Sequence, residues 1–139
     1  MQVQALDSDD LRIIRLRVAG IAALFVAKAH KIGDRVESGR PDRLADKDAA
    51  DVLRLMQTSS PAAVAATLRE LLEHPTAHAS TKNGVDRLHQ LFGNRAAPGI
   101  EMATRALRKA MPADRVRAIC LSYTENLDGF IRPIAPPGA

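Results

Sequence analysis

The order of apolar and polar residues along the chain predicts a mainly helical protein that begins with one β-strand. Residues 11–18 alternate in polarity, with Ile14, Leu16 and Val18 on one face of an extended chain and arginines between them. A single strand leaves its backbone donors and acceptors unpaired. We therefore expect this strand to join a sheet supplied by a partner chain, by a second copy of this one, or by a region outside this sequence.

After the strand, apolar residues recur every three or four positions, which is the period of amphipathic helices. The predicted helices cover residues 21–36, 44–57, 61–73, 78–92, 99–111 and 113–127. Ser60 and Pro61 are typical of an N-cap and a first helical turn, and Pro112 separates the last two helices. We expect a six-helix bundle in one domain over residues 1–129, followed by a flexible tail over residues 130–139.

Composition supports a single helical domain. The chain has 139 residues, 46% of them hydrophobic and 3% aromatic, with no tryptophan, so its core must be built from small aliphatic side chains. The single cysteine, Cys120, falls in an apolar helical pattern and is expected in that core rather than in a disulfide or a metal site. We find no membrane-length apolar run and no export signal, and therefore expect a cytoplasmic protein without a membrane partner.

The chain is moderately basic, with a formal net charge of +4, which favours approach to an anionic partner. Most basic residues are spread over the predicted helices, as on an ordinary solvated surface. One cluster spans the joint between the last two helices and consists of Arg105, Arg108, Lys109, Arg115 and Arg117. It has no interleaved aromatic residues for base stacking, so we interpret it as solvated surface, with contact to a nucleic-acid backbone as the alternative.

The first two helices carry the charged residues that are most informative about function. On a helical wheel, Lys28 and Arg35 border the apolar stripe of the first helix, and Asp48 lies beside the apolar arc of the second. An antiparallel hairpin would bring Asp48 near Lys28, with Asp51 one turn away. One interpretation is an ion pair that fixes the register of the helices. The other is a site where Lys28 and Arg35 meet an anionic ligand while Asp48 positions or deprotonates a group.

Two segments of this region, VAGIAALFVAKAHKIGDR at 18–35 and DKDAADV at 46–52, resemble nucleotidyltransferase-like proteins of the AbiEii toxin type. The resemblance implies a nucleotide pocket in which Lys28 holds phosphate and Asp48 orients Lys28 or acts as a base. It makes these two the candidate catalytic residues. The remaining residues that it implies around the pocket are Arg35 and Lys47 toward the phosphates, with Asp51 and Lys31 behind them.

Nucleotidyltransferases of this kind also carry a Gly-Ser turn and paired carboxylates that hold Mg²⁺ for in-line attack, and neither stands before a strand pair in this sequence. Asp7 and Asp9 have a suitable spacing, but they precede the only predicted strand, and we interpret them as a polar turn. His74 and His78 stand four residues apart, yet Pro75 interrupts the helix that would pair them as zinc ligands. We therefore expect no metal site within the chain.

The leading hypothesis is a nucleotidyltransferase-related C-terminal helical domain that is inactive alone. It would use Mg²⁺ and a nucleoside triphosphate only when a sheet-bearing partner supplies the catalytic half, and nucleic acid such as tRNA is a further candidate partner. A second hypothesis is a non-catalytic interaction module that forms a homo-oligomer, or a toxin–antitoxin-type pair, through the strand at 12–18. A third is a small basic regulator that binds nucleic acid.

Overall fold

The computed structural model describes residues 8–39 and 43–132 of the chain. The helices of this part are α1 (Ser8–Glu37), α2 (Arg43–Thr58), α3 (Pro61–Glu73), α4 (His78–Phe92), α5 (Pro98–Ala106) and α6 (Ala113–Ile131). The prediction of a mainly helical fold is confirmed, and no strand is present among the described residues.

The predicted N-terminal strand is wrong, because residues 11–18 are helical and form part of α1. Leu11, Ile14 and Val18 also follow the three-and-four spacing of a helix, and this spacing continues without a break into Phe25. The apolar residues of this segment fit both the two-residue period of a strand and the period of a helix. Only the helical period continues beyond residue 18. The expectation of a partner that adds a sheet to this segment therefore loses its structural basis.

The other predicted boundaries agree closely with the structure in the middle of the chain and less well toward its end. α3 and α4 have the predicted bounds, and the Ser60 hydroxyl caps α3 by accepting a hydrogen bond from the Ala63 amide at 3.3 Å. α5 ends at Ala106 rather than at residue 111, since the chain closes into turns around the Leu107 carbonyl. α6 continues to Ile131, so the predicted tail begins inside a helix, and residues 133–139 lie outside the described part.

All of the described helices contribute to one hydrophobic core. The largest fully buried side chains include Phe25, Leu53, Phe92 and Ile100, and between them the core is filled with alanine and valine. Burial raises the pKa of the Cys120 thiol to about 12, as expected for a cysteine that serves only in packing. The small residues permit close helix packing without tryptophan.

The second half of α1 packs closely against α4 and α6. A Cβ atom added to Gly84 of α4 would lie 2.6 Å from Cγ1 of Val26 on α1. Tyr123 of α6 packs its ring against Phe25 with 5.5 Å between the centroids, and its hydroxyl hydrogen-bonds with the Ser59 hydroxyl at 2.7 Å. One face of the second half of α1 is thus covered by its neighbours.

The first half of α1 is different, because residues 9–20 are exposed except for the partly buried Val18. Leu16 is 66% exposed and Ile13 is 50% exposed. A search of the described helices finds none with the length and apolar character that a membrane crossing requires. Because of this exposure, the N-terminal half of α1 extends beyond the rest of the bundle.

Candidate functional site

The candidate site is a charged network between α1 and α2. Lys28 contacts Asp48 and Asp51, while Lys31, one turn later on α1, contacts Asp48. The later lysine on α1 thus contacts the earlier aspartate on α2, so the two helices run antiparallel. The structure brings the four candidate residues Lys28, Lys31, Asp48 and Asp51 together. Asp48 sits at the edge of the buried face of α2, one turn from the fully buried Val52.

The network has short, well-defined contacts. The Lys28 ammonium donates to Oδ1 of Asp48 at 2.6 Å and to Oδ2 of Asp51 at 3.1 Å. The Lys31 ammonium lies 3.2 Å from Oδ2 of Asp48, but this buried oxygen accepts no hydrogen bond within the described residues. Asp48 is only 5% exposed, so its charge depends on these two lysines for compensation.

The electrostatics fix both partners in their charged forms. Burial alone would raise the pKa of Asp48, but the hydrogen bond from Lys28 and the charge attraction of Lys28 and Lys31 outweigh it, and the pKa lies below its ordinary value of 3.8. The hydrogen bond from Lys28 to Asp48 raises the pKa of Lys28 above its ordinary 10.5. At neutral pH the carboxylate is therefore a weak base and the lysine is a protonated ammonium.

These charge states limit the chemistry of the network. A protonated Lys28 is an electrostatic group rather than a nucleophile. Its ammonium occupies the space between the carboxylates of Asp48 and Asp51, where a metal ion would have to bind, so these carboxylates do not suit Mg²⁺. One of the three ammonium donors remains for a phosphate oxygen, since two are used by the aspartates.

A basic cleft adjoins the network between α2 and the end of α5, and has a volume of about 410 Å³. Lys47 lines the cleft, and the other charged residues that line it are Asp46, Asp51, Arg54, Arg105 and Arg108. Arg105 donates to both carboxylate oxygens of Asp46, at 3.2 and 3.0 Å, which ties α5 to α2. Asp51 belongs to both the cleft and the network.

Sequence reasoning placed Lys47 at the phosphates, but it missed the arginines that share the cleft. Lys47, Asp51 and Arg54 stand at positions i, i+4 and i+7 of α2, and this spacing would have placed them on one helical face. Arg105 and Arg108 were interpreted as solvated surface, since nothing in the sequence showed that the end of α5 packs beside α2.

Arg35, the remaining predicted phosphate-binding residue, does not line the cleft. It is partly buried on α1, two turns beyond Lys28, which corresponds to about 10 Å along the helix axis. The structure therefore divides the predicted site into an ionic network around Lys28 and a separate cleft at Lys47.

Comparison with known protein families, characterised proteins and solved structures finds no match to this chain. Among the described residues there is also no group of three or more histidine, cysteine, aspartate or glutamate side chains arranged to hold a metal ion. Function is therefore inferred from the chemistry of the network and the cleft.

Proposed function

We propose that this chain is a phosphate-binding helical domain of the nucleotidyltransferase-related class. The basic cleft between α2 and α5 binds the phosphates of a nucleotide, and the Lys28 network holds α1 and α2 in position beside it. The proposal assigns the metal-binding carboxylates to another polypeptide, so the chain does not catalyse transfer alone. The resemblance of residues 18–35 and 46–52 to the AbiEii toxin type supports this choice of class.

The observation that carries the proposal is the excess of positive charge in the cleft. Four cationic side chains line it together with only two carboxylates, those of Asp46 and Asp51. Arg105 is paired with Asp46, whereas Lys47 and Arg108 have no carboxylate within salt-bridge distance in the described part of the chain. Arginine and lysine side chains that converge on a concave surface are the usual ligands of phosphate groups.

A purely structural role explains only part of this arrangement. Arg105 lies in the last turn of α5, where a cation interacts favourably with the helix dipole, and its pairing with Asp46 holds α5 against α2. Neither purpose accounts for Lys47 and Arg108. These two residues are therefore the most specific probes of a phosphate site.

The direct test is calorimetric titration of the full chain with a nucleoside triphosphate, followed by the double variant Lys47→Ala/Arg108→Ala. We expect the double variant to bind at least about tenfold more weakly. The matched control is Arg69→Ala/Lys82→Ala, which removes the same charge from exposed positions on α3 and α4. It should bind within about twofold of the unmodified chain at equal ionic strength. Equal losses in both variants, or no binding by the unmodified chain, would contradict the proposal.

Lys28 supports the cleft indirectly in this proposal, through its ion pair with Asp51, which also lines the cleft. Lys28→Ala is therefore expected to weaken both folding and binding, whereas Lys47→Ala should weaken binding alone. Nucleic-acid binding by the same cations would appear as an affinity for RNA that falls steeply with salt, since each released counterion contributes to the slope.

A second candidate function, a protein interaction module, is favoured by the exposed first half of α1. Leu11, Ile13, Ile14 and Leu16 are each more than 40% exposed there. Such a concentration of exposed apolar residues is typical of a docking surface. This candidate is compatible with phosphate binding, because the cleft lies on other helices.

A further inference from the structure

We propose that two copies of this chain associate through the first half of α1, which pairs with its counterpart in antiparallel orientation. The contact surface is the α1 seam, defined by Leu11, Ile14 and Val18. This association concerns a region outside both the ionic network and the basic cleft, and it does not depend on the function proposed for them.

The α1 seam continues the side of the helix that is buried in the bundle. At about 100° per residue, Leu11, Ile14 and Val18 all fall within about 40° of Phe25 around the helix axis. Phe25 is 1% exposed, whereas Leu11 and Ile14 are 43% and 44% exposed. The same apolar face therefore runs along the whole helix, and its N-terminal part has no cover in the described chain.

The other sides of this part of the helix are exposed as well, because every described residue from 9 to 20 except Val18 is exposed. A Cβ atom added to Gly20 would meet no other atom within 4 Å. A projecting helix of this length, about 20 Å, is marginally stable in water unless another element covers its apolar face.

The charges beside the α1 seam make it complementary to itself. Asp10 and Arg17 stand seven residues apart on the same flank, within about 60° to 80° of the line through Phe25. In an antiparallel pair of identical helices the same flanks face each other. With Ile14 near the two-fold axis, Asp10 of each copy lies beside Arg17 of the other, and Leu11 lies beside Val18.

The bundle excludes the parallel arrangement. From Ala22 onward, the face of α1 that continues the seam is covered by the other helices of its own chain. A parallel partner helix would run into them, whereas an antiparallel partner places the second bundle beyond the opposite end of the pair. Arg15 lies on the other flank, where its counterpart repels it, and its long side chain extends into solvent.

The interface is small, so the dissociation constant should be on the order of 10 µM. Sedimentation velocity on the full chain between about 1 and 300 µM should show a shift from a 15.0 kDa species to its dimer. Ile14→Ser should weaken the dimer by at least about tenfold. Leu16→Ser is the matched control, because Leu16 is equally apolar and lies on the opposite side of the same helix. It should dimerise as the unmodified chain does.

Charge exchange tests the predicted pairing. Asp10→Arg and Arg17→Asp should each weaken association, and the double variant Asp10→Arg/Arg17→Asp should restore it. Orientation is tested by oxidative crosslinking: Leu11→Cys should crosslink with Val18→Cys in a mixture more readily than either variant crosslinks with itself. Cys120 is buried and will not compete.

A chain that remains monomeric at about 300 µM would overturn the proposal. It would also be overturned if Ile14→Ser and Leu16→Ser had equal effects, or if the single cysteine variants crosslinked preferentially with themselves. Because these positions are exposed, apart from the partly buried Val18, circular dichroism of each variant should match that of the unmodified chain.

Discussion

The two halves of α1 have similar apolar patterns but opposite surroundings. In the second half, Phe25, Ala29 and Ile32 are at most 1% exposed, whereas in the first half Leu11 and Ile14 on the same face are exposed. The difference shows that an apolar helical face predicts a contact without identifying the chain that provides it. In the second half the contact is with the bundle, and in the first half we assign it to another molecule.

The largest expected effect is on the free energy of unfolding when a large apolar side chain is truncated in one half of α1 or the other. Phe25→Ala should lower the free energy of unfolding by about 3–5 kcal/mol, because it leaves a cavity in the core. Leu16→Ala, in the exposed half, should change it by less than about 0.5 kcal/mol. Urea denaturation followed by circular dichroism measures both. A comparable loss for the two variants would show that the first half of α1 is packed within its own chain.

The ionic network should have the next largest effect. Asp48→Asn keeps the shape of the side chain but leaves the two lysines without their buried carboxylate, and should cost about 1.5–3 kcal/mol at pH 7. Asp114→Asn is the control, because Asp114 is an exposed helix residue whose partner in the described part of the chain is Arg117, and it should cost less than about 0.5 kcal/mol.

The contribution of Asp48 should also depend on pH. Because its pKa is lowered on folding, its stabilising effect is complete above the ordinary value of 3.8 and is lost as the pH falls toward the lower folded value. The pKa of Lys28 is raised on folding, so the stabilisation that Lys28 contributes is lost at alkaline pH, as the pH rises above 10.5. The difference in unfolding free energy between the unmodified chain and Asp48→Asn should therefore be flat near neutrality and shrink below about pH 4. A difference independent of pH down to pH 3 would refute the assigned ion pairs.

The smallest expected changes in stability come from replacing two glycines by alanine, and they should have opposite signs. Gly84→Ala should destabilise the protein by about 1–3 kcal/mol, because the new methyl group clashes with Val26 on the second half of α1. Gly20→Ala should stabilise it by about 0.5–1 kcal/mol, because alanine favours the helix and no neighbour obstructs it. Thermal unfolding distinguishes the two signs. A destabilising Gly20→Ala would mean that a neighbour packs closely against α1 at that position.

Sequence reasoning was most accurate where local signals and packing agree. Ser60 and Pro61 fix the start of α3, and its C-terminal limit before Pro75 follows from the same backbone rules. It was wrong at 11–18, where Ile14, Leu16 and Val18 fit a strand while the spacing of Leu11, Ile14 and Val18 fits a helix. Only the continuation into the buried part of α1 decides between the two periods.

The candidate site was predicted in part for a related reason. Helical wheels place Lys28 and Asp48 at the edges of facing apolar stripes, which is a local property, and the structure brings them into contact. The cleft could not be derived in this way, because Lys47 lies on α2 and Arg108 lies in the turn after α5, and the contact between these two segments depends on the whole bundle. The pairing of Arg105 with Asp46, 59 residues apart, has no local signal at all.

Amide hydrogen exchange along α1, measured at two protein concentrations, tests the contrast between its halves most directly. Amides in the buried second half should exchange slowly, close to the rate of global unfolding, at both concentrations. Amides of residues 11–20 should exchange rapidly in dilute solution and become protected as the concentration rises, except in the Ile14→Ser variant. Strong protection of residues 11–20 at all concentrations, or none at any, would contradict the assignment of this half to a second copy of the chain.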